Sequence, residues 1–137
     1  MAAMRSTVLL TSLALLSSQI ADAREIRHDA VPESFWGTWA PGTGDCKDAK
    51  NPPIVLSAKS YAGPAGSCVI LYVTEIPGRD GATYSARMSC SGSQPQAKTT
   101  ANLIIRPDTA EQISLGATFD TLATHRRCPA AAPAKQQ

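Results

Sequence analysis

The sequence contains two strand-like runs, Cys68-Val-Ile-Leu-Tyr-Val-Thr-Glu-Ile76 and Ala82-Thr-Tyr-Ser-Ala-Arg-Met-Ser-Cys90, on either side of the turn-rich Pro77-Gly-Arg-Asp-Gly81. Both runs are rich in β-branched, aromatic and other apolar residues, and proline and glycine punctuate the segment between them. This pattern predicts a β-hairpin with a five-residue loop.

Folding this hairpin about its central arginine predicts which residues face each other. The expected pairs are Ile76 with Ala82, Thr74 with Tyr84, Tyr72 with Ala86, Ile70 with Met88, and Cys68 with Cys90. The intervening residues of the second run are Thr83, Ser85, Arg87 and Ser89, which are polar. Side-chain alternation therefore assigns the even-numbered residues of both runs to the core.

The chain has four cysteines, at positions 46, 68, 90 and 128, and no two of them form a C-x-x-C unit. An even number of cysteines in an exported chain predicts disulfides rather than metal ligation or thiol catalysis. Facing residues of a hairpin lie within bridging distance, which favours Cys68–Cys90 and leaves Cys46 with Cys128. The pairing of Cys46 with Cys68 and of Cys90 with Cys128 stays open as the alternative.

Composition and the N-terminus indicate an exported single domain. The 137 residues carry a net charge of +2 and are 43% apolar, and their basic residues form no stripe of the kind that binds nucleic acid. Residues 1–23 combine Arg5, an apolar stretch over 7–16 and Ala21-Asp-Ala23, which predicts a secretory signal peptide cleaved after Ala23. The apolar stretch is too short for a bilayer span. We expect a periplasmic or secreted protein.

The mature chain predicts an all-β fold in one domain. Seven or eight short strands, with turn signals about every ten residues, favour a small antiparallel β-barrel over residues 35–128. Residues 24–34 are polar and are predicted to form a flexible N-terminal arm, with a short helical turn starting at Pro32-Glu-Ser34. The Ala- and Pro-rich residues 129–137 are predicted to be a disordered tail.

The run Phe35-Trp-Gly-Thr-Trp39, with Arg126-Arg127 at the end of the last strand, resembles the Gly-x-Trp start of calycin-type barrels. Lipocalins and the small periplasmic inhibitors of bacterial metalloproteases begin in this way. The resemblance implies that Gly37 and Trp39 close the barrel floor, and that Arg127 or Arg126 lies over the indole through a cation–π contact. In the inhibitors, the mature N-terminal arm enters the cleft of the enzyme. With its four cysteines, the pattern also resembles uncharacterised small exported proteins of proteobacteria.

No catalytic residue, cofactor site or metal site is indicated. The chain lacks a Gly-x-Ser-x-Gly elbow, and its two histidines, His28 and His125, are interpreted as surface residues. The tip of the central hairpin carries Arg79 and Asp80, which are the candidate contacts of a partner-binding loop.

These observations predict a non-enzymatic exported binding protein of the cell envelope, whose partner is an unknown protein or small ligand. The alternative function is a proteinaceous inhibitor of a secreted hydrolase, either a protease or a lysozyme. We expect a monomer without a cofactor, without a nucleic-acid partner and without a membrane span after cleavage.

The hairpin register makes a direct prediction about the disulfides. Peptide mapping under non-reducing conditions should recover Cys68 linked to Cys90, because these residues face each other in the predicted ladder. A peptide that links Cys46 to Cys68 would contradict the register.

Overall fold

The computed structural model of the chain describes residues 24–92 and 97–130, and within these residues it contains nine strands and two short 3-10 turns. The predicted signal peptide and most of the predicted tail lie outside the described residues. The 3-10 turns span Glu33–Phe35 and Phe119–Thr121. The strands are β1 Ile26–His28, β2 Gly37–Pro41, β3 Ile54–Leu56, β4 Ser60–Gly63, β5 Gly66–Ile76, β6 Thr83–Ser91, β7 Lys98–Thr109, β8 Gln112–Gly116 and β9 Ala123–Arg127.

Strands β2 to β9 form a closed antiparallel barrel of eight strands, as predicted. Each strand pairs with the next one along the chain, and β9 returns to pair with β2 through Trp39 with Arg127 and Pro41 with His125. Closure pairs both edges of every strand over part of its length, which leaves few open edges for aggregation. Strand β7 is longer than the predicted Ala101–Ile105, because Lys98, Thr99 and Thr100 also pair with β6.

The central hairpin has the predicted register only in its first half. Cys68 faces Cys90 and Ile70 faces Met88, but a bulge at Leu71 shifts the ladder so that Tyr72 faces Arg87. A bulge inserts one unpaired residue and moves the following side chains to the opposite face. Val73 is therefore completely buried while Tyr72 is only partly buried, which corrects the predicted pairs beyond Ile70.

The predicted flexible arm is instead part of the sheet. Residues 26–28 form β1 and pair with β5 at residues 73–75. Strand β4 pairs with β5 only as far as Val69, so the long β5 extends beyond it and presents an unpaired edge. The arm supplies the missing backbone partners for this edge, which is why it forms a strand despite its polar composition.

The interior of the barrel is filled with side chains. The largest fully buried residues come from strands on every side of the barrel and from the segment before β2; they are Val31, Trp39, Leu56, Ile70, Val73, Met88, Ile105 and Ile113. The middle of the barrel is therefore packed, as expected for eight strands.

Both predicted disulfides are present. Cys68 and Cys90 are joined across the hairpin with their Cα atoms 4.0 Å apart, and Cys46 is joined to Cys128 with a Cα separation of 5.8 Å. The Cys46–Cys128 bridge ties the loop after β2 to the end of β9, beside the closing strand pair. Two disulfides fit a protein of an oxidising compartment. No helix in the described ranges has the length and apolar character needed to cross a membrane.

The two bridges should differ in their contributions to stability. Removing Cys46–Cys128 by paired substitution to alanine should lower the free energy of unfolding by about 4.5 kcal/mol, against about 3 kcal/mol for Cys68–Cys90, because the first bridge closes the longer loop. The sequence separations are 82 and 22 residues. Denaturant unfolding of the two variants measures the difference, and a larger loss from the hairpin bridge would contradict this account.

Candidate functional site

One end of the barrel, called the floor, is closed by Trp39 and Arg127. The Trp39 side chain is completely buried, and the guanidinium carbon of Arg127 lies 4.2 Å from the centroid of its ring. The guanidinium also donates to the carbonyl oxygens of Ser34 at 2.7 Å and Trp36 at 2.9 Å. These contacts hold the segment before β2 against the barrel end through a cation–π interaction and two charge-assisted hydrogen bonds.

The structure distinguishes the two arginines considered for this role. Arg126 points away from the floor and donates to the carbonyl oxygen of Gly44 at 3.0 Å, outside the barrel. Gly37 has a φ of +134°, and a Cβ atom there would lie 3.2 Å from Nη1 of Arg127. Glycine is therefore needed at position 37 both for its backbone conformation and for the close approach of the guanidinium.

The segment between β1 and β2 completes the floor. Val31 and Phe35 are buried, and the Trp36 indole donates to the carbonyl of Val31 at 2.8 Å. The Trp39 indole donates to the carbonyl of Phe35 at 3.0 Å. Both indole N–H groups are thus paired with carbonyl oxygens of this segment, with Trp39 fully buried and the Trp36 ring 39% exposed at the surface.

Strand β1 is fastened to β5 by a pair of titratable side chains. His28 Nε2 lies 2.6 Å from Glu75 Oε2, and the Tyr84 ring lies beside the imidazole. Burial raises the pKa of Tyr84, and the neighbouring Glu75 carboxylate raises it further. This cluster connects the N-terminal strand to the hairpin.

At the opposite end of the barrel, the described residues line a pocket of about 300 Å³, called the mouth pocket. Its apolar lining comes from the inner wall and from the turns after β4 and β8, and includes Ile54, Pro64, Ala65, Met88, Leu103 and Leu115. Its polar lining consists of Tyr61, Asn102, Thr121 and His125. A concave, mainly apolar site with a few polar groups is typical of small-molecule binding.

The sequence interpretation missed the mouth pocket, and two of its polar residues show why. His125 is only 8% exposed, so its interpretation as a surface residue is wrong. It lies two residues before Arg127 on β9, and strand alternation places both on the inner face. Tyr61 is also buried, which raises the pKa of its hydroxyl, while a hydrogen bond from the Ala65 backbone partly opposes the shift.

The predicted partner loop lies at the floor end, beside the end of β7. Arg79 and Asp80 line an open cleft of about 550 Å³ together with Arg106 and Asp108. Asp108 is held in place, since it accepts a hydrogen bond from Ser114 Oγ at 2.7 Å and lies 3.6 Å from Arg106 Nε. The cleft therefore presents both signs of charge on an exposed surface.

Among the residues that the structure describes, no group of three histidine, cysteine, aspartate or glutamate side chains is arranged to hold a metal ion. The chain matches no family model, no curated protein and no solved structure.

The floor contacts predict a difference between the two neighbouring arginines. Arg127→Ala should lower the free energy of unfolding by about 2 kcal/mol, because it removes the cation–π contact and three hydrogen bonds, to the carbonyl oxygens of Ser34, Trp36 and Ala110. Arg126→Ala is the matched control and should cost less than about 1 kcal/mol, since it removes one exposed hydrogen bond. Equal losses in denaturant unfolding would show that Arg127 has no special role.

Trp39→Ala should cost more than either arginine variant. Truncation of a large buried aromatic side chain lowers the free energy of unfolding by about 3–5 kcal/mol, because a cavity replaces the packed ring. Thermal or denaturant unfolding measures the loss. A loss below about 1 kcal/mol would place Trp39 at the periphery of the fold.

Proposed function

We propose that this chain is a non-enzymatic binding protein of the cell envelope, exported to the periplasm or beyond, and that it takes up a small, mainly apolar ligand in the mouth pocket. The observation that carries the proposal is the mouth pocket of about 300 Å³, whose lining is mainly apolar, is uncharged and includes the buried His125. The floor end has a recess of about 350 Å³, but the charged Arg127 lies in its lining beside Trp39.

The packing of the barrel limits the size of the ligand. Met88 lines the mouth pocket and is itself buried, and Ile70, Ile105 and Ile113 are fully buried within the barrel. A ligand therefore enters only the outer part of the barrel. Pockets near 300 Å³ are at the lower end of the range for small-molecule sites, which favours a compact ring system over a long acyl chain.

The chemistry of the lining supports binding rather than catalysis. Nucleophilic or acid–base catalysis requires a reactive group, a base within reach and a group that orients it. Among the described residues that line the mouth pocket there is one histidine, and no carboxylate, cysteine or lysine accompanies it. An uncharged apolar lining is suited to burying a ligand's surface.

The strand order supports the resemblance to calycin-type barrels and to small exported proteobacterial proteins, which remains part of this proposal. The eight strands run up and down in sequence order, and the Gly37-x-Trp39 segment and Arg127 meet at the closed end. In barrels of this size, ligands bind at the open end.

The second candidate function is inhibition of a secreted hydrolase through the floor-end cleft. The arm that would enter an enzyme in the resembling inhibitors is engaged here in pairing β1 with β5. An inhibitory contact would therefore use the exposed loop with Arg79 and Asp80, beside Arg106 and Asp108. Stoichiometric inhibition of secreted proteases or lysozymes at about micromolar concentration, lost on Arg79→Ala with Asp80→Ala, would favour this function over ligand uptake.

Blocking the mouth pocket tests the ligand-binding proposal. The mature protein should bind the compact, uncharged probe 2-methoxynaphthalene with a dissociation constant of about 10–100 μM. Ala65→Trp should abolish this binding, because the indole would occupy the pocket. Ala62→Trp is the matched control on the exposed outer face of β4 and should bind the probe normally. Titration calorimetry measures all three proteins.

Equal binding by both tryptophan variants would place the probe elsewhere and contradict the proposed site. Native mass spectrometry of protein purified from its own envelope complements this test, since a co-purified small molecule would identify the ligand. A co-purified hydrolase would instead support the second function.

A further inference from the structure

A hydrogen bond to the backbone fixes the tautomer of the His125 imidazole in the mouth pocket. Its Nδ1 atom lies 2.7 Å from the carbonyl oxygen of Ala123. A carbonyl oxygen only accepts hydrogen bonds, so Nδ1 carries the proton that is donated to it. In the neutral ring this leaves Nε2 with a lone pair and no proton, and Nε2 is then a hydrogen-bond acceptor.

This acceptor is available from the pocket. Within the described part of the chain, Nε2 of His125 has no hydrogen-bond partner, and no fully buried side-chain nitrogen or oxygen is left unpaired. The residue itself is more than nine-tenths buried and lines the mouth pocket. Nε2 is therefore reachable through the pocket rather than enclosed in the core.

Two other polar groups of the pocket are already engaged. Asn102 Oδ1 accepts a hydrogen bond from Arg87 at 3.0 Å. The Thr121 hydroxyl donates to the carbonyl oxygen of Thr118 at 3.1 Å. Among the described side chains that line the pocket, His125 supplies a ring-nitrogen acceptor that has no protein donor of its own.

We propose that the ligand is an uncharged, compact apolar molecule with one O–H or N–H donor, and that this donor binds Nε2 of His125. The inference rests on the proposed function, since it names the class of ligand for the same pocket. A hydroxyl on an aromatic or alicyclic ring fits this chemistry, because the ring fills the apolar lining while the hydroxyl pairs with the buried imidazole.

The charges around the pocket favour an uncharged ligand over a carboxylate. A carboxylate would need a protonated imidazole as its partner, and none of the described residues that line the pocket carries a charge to support it. Tyr61 on β4 is the other titratable group of the lining, and Arg126 next to His125 is turned outward to Gly44. Burying an isolated charge in such a lining is costly.

Three probes that share one ring system test the proposal. They are 2-naphthol, which has a hydroxyl donor, 2-methoxynaphthalene, in which the donor is methylated, and 2-naphthoate, which is charged. The protein should bind 2-naphthol about tenfold more tightly than 2-methoxynaphthalene, because only the hydroxyl satisfies the buried acceptor. 2-Naphthoate should bind most weakly.

The same preference should depend on His125. His125→Phe should remove the advantage of 2-naphthol, whereas His125→Gln should retain part of it, because glutamine keeps an acceptor. Far-UV circular dichroism checks that both variants are folded.

Nitrogen NMR of the two imidazoles tests the proposal in the unsubstituted protein, so the result does not depend on whether a variant folds. The chain has two histidines, so His28 at the floor end serves as an internal control. Before ligand is added, the His125 spectrum should show the tautomer with the proton on Nδ1. Addition of 2-naphthol should shift the Nε2 resonance of His125 and leave His28 unchanged.

Other results of these measurements would contradict either the inference alone or the inference together with the proposed function. Equal affinity for 2-naphthol and 2-methoxynaphthalene, or an unmoved Nε2 resonance, would overturn this inference and leave pocket binding intact. Tightest binding of 2-naphthoate would also overturn it, because the pocket would then select an anion. Failure of all three probes to bind would contradict the proposed function together with the inference.

Discussion

Closure of β9 onto β2 is the constraint on which the other features of the molecule depend. Trp39 pairs with Arg127 in the ladder, and the same two side chains meet in the cation–π contact that seals the floor. The Cys46–Cys128 bridge lies beside this strand pair. One seam therefore combines backbone pairing, a buried aromatic ring and a covalent bond, and the eight strands close because their first and last members are held there.

The two barrel ends differ because the apolar residues of the chain are distributed unevenly between them. The segment before β2 contributes Val31 and Phe35 to the floor, where they pack with Trp39 of β2. At the other end, the turns after β4 and β8 contribute the small residues Pro64, Ala65 and Ala117 to the lining of the mouth pocket. This pocket is the concavity in which we propose that a ligand binds.

Local patterns were sufficient to predict the hairpin, a small barrel of seven or eight strands and the favoured disulfide pairing, because alternation and turn residues act over a few positions. The bulge at Leu71 was not predicted, since inserting one residue in a ladder leaves no clear mark in an apolar run. Strand β1 was missed because its pairing depends on the overhang of β5, a property of the tertiary fold. The burial of His125 was missed because a polar residue in a short strand was assigned to the surface without following its face from Arg127.

The sequence positions of the cysteines impose an order on oxidative folding. Cys68 and Cys90 come together when a single hairpin forms, whereas Cys46 reaches Cys128 only after every intervening strand is in register. Shorter loops close at lower entropic cost, so we expect the hairpin disulfide to form first. Cys46 and Cys128 would then be the two cysteines left to pair, which would disfavour scrambled isomers.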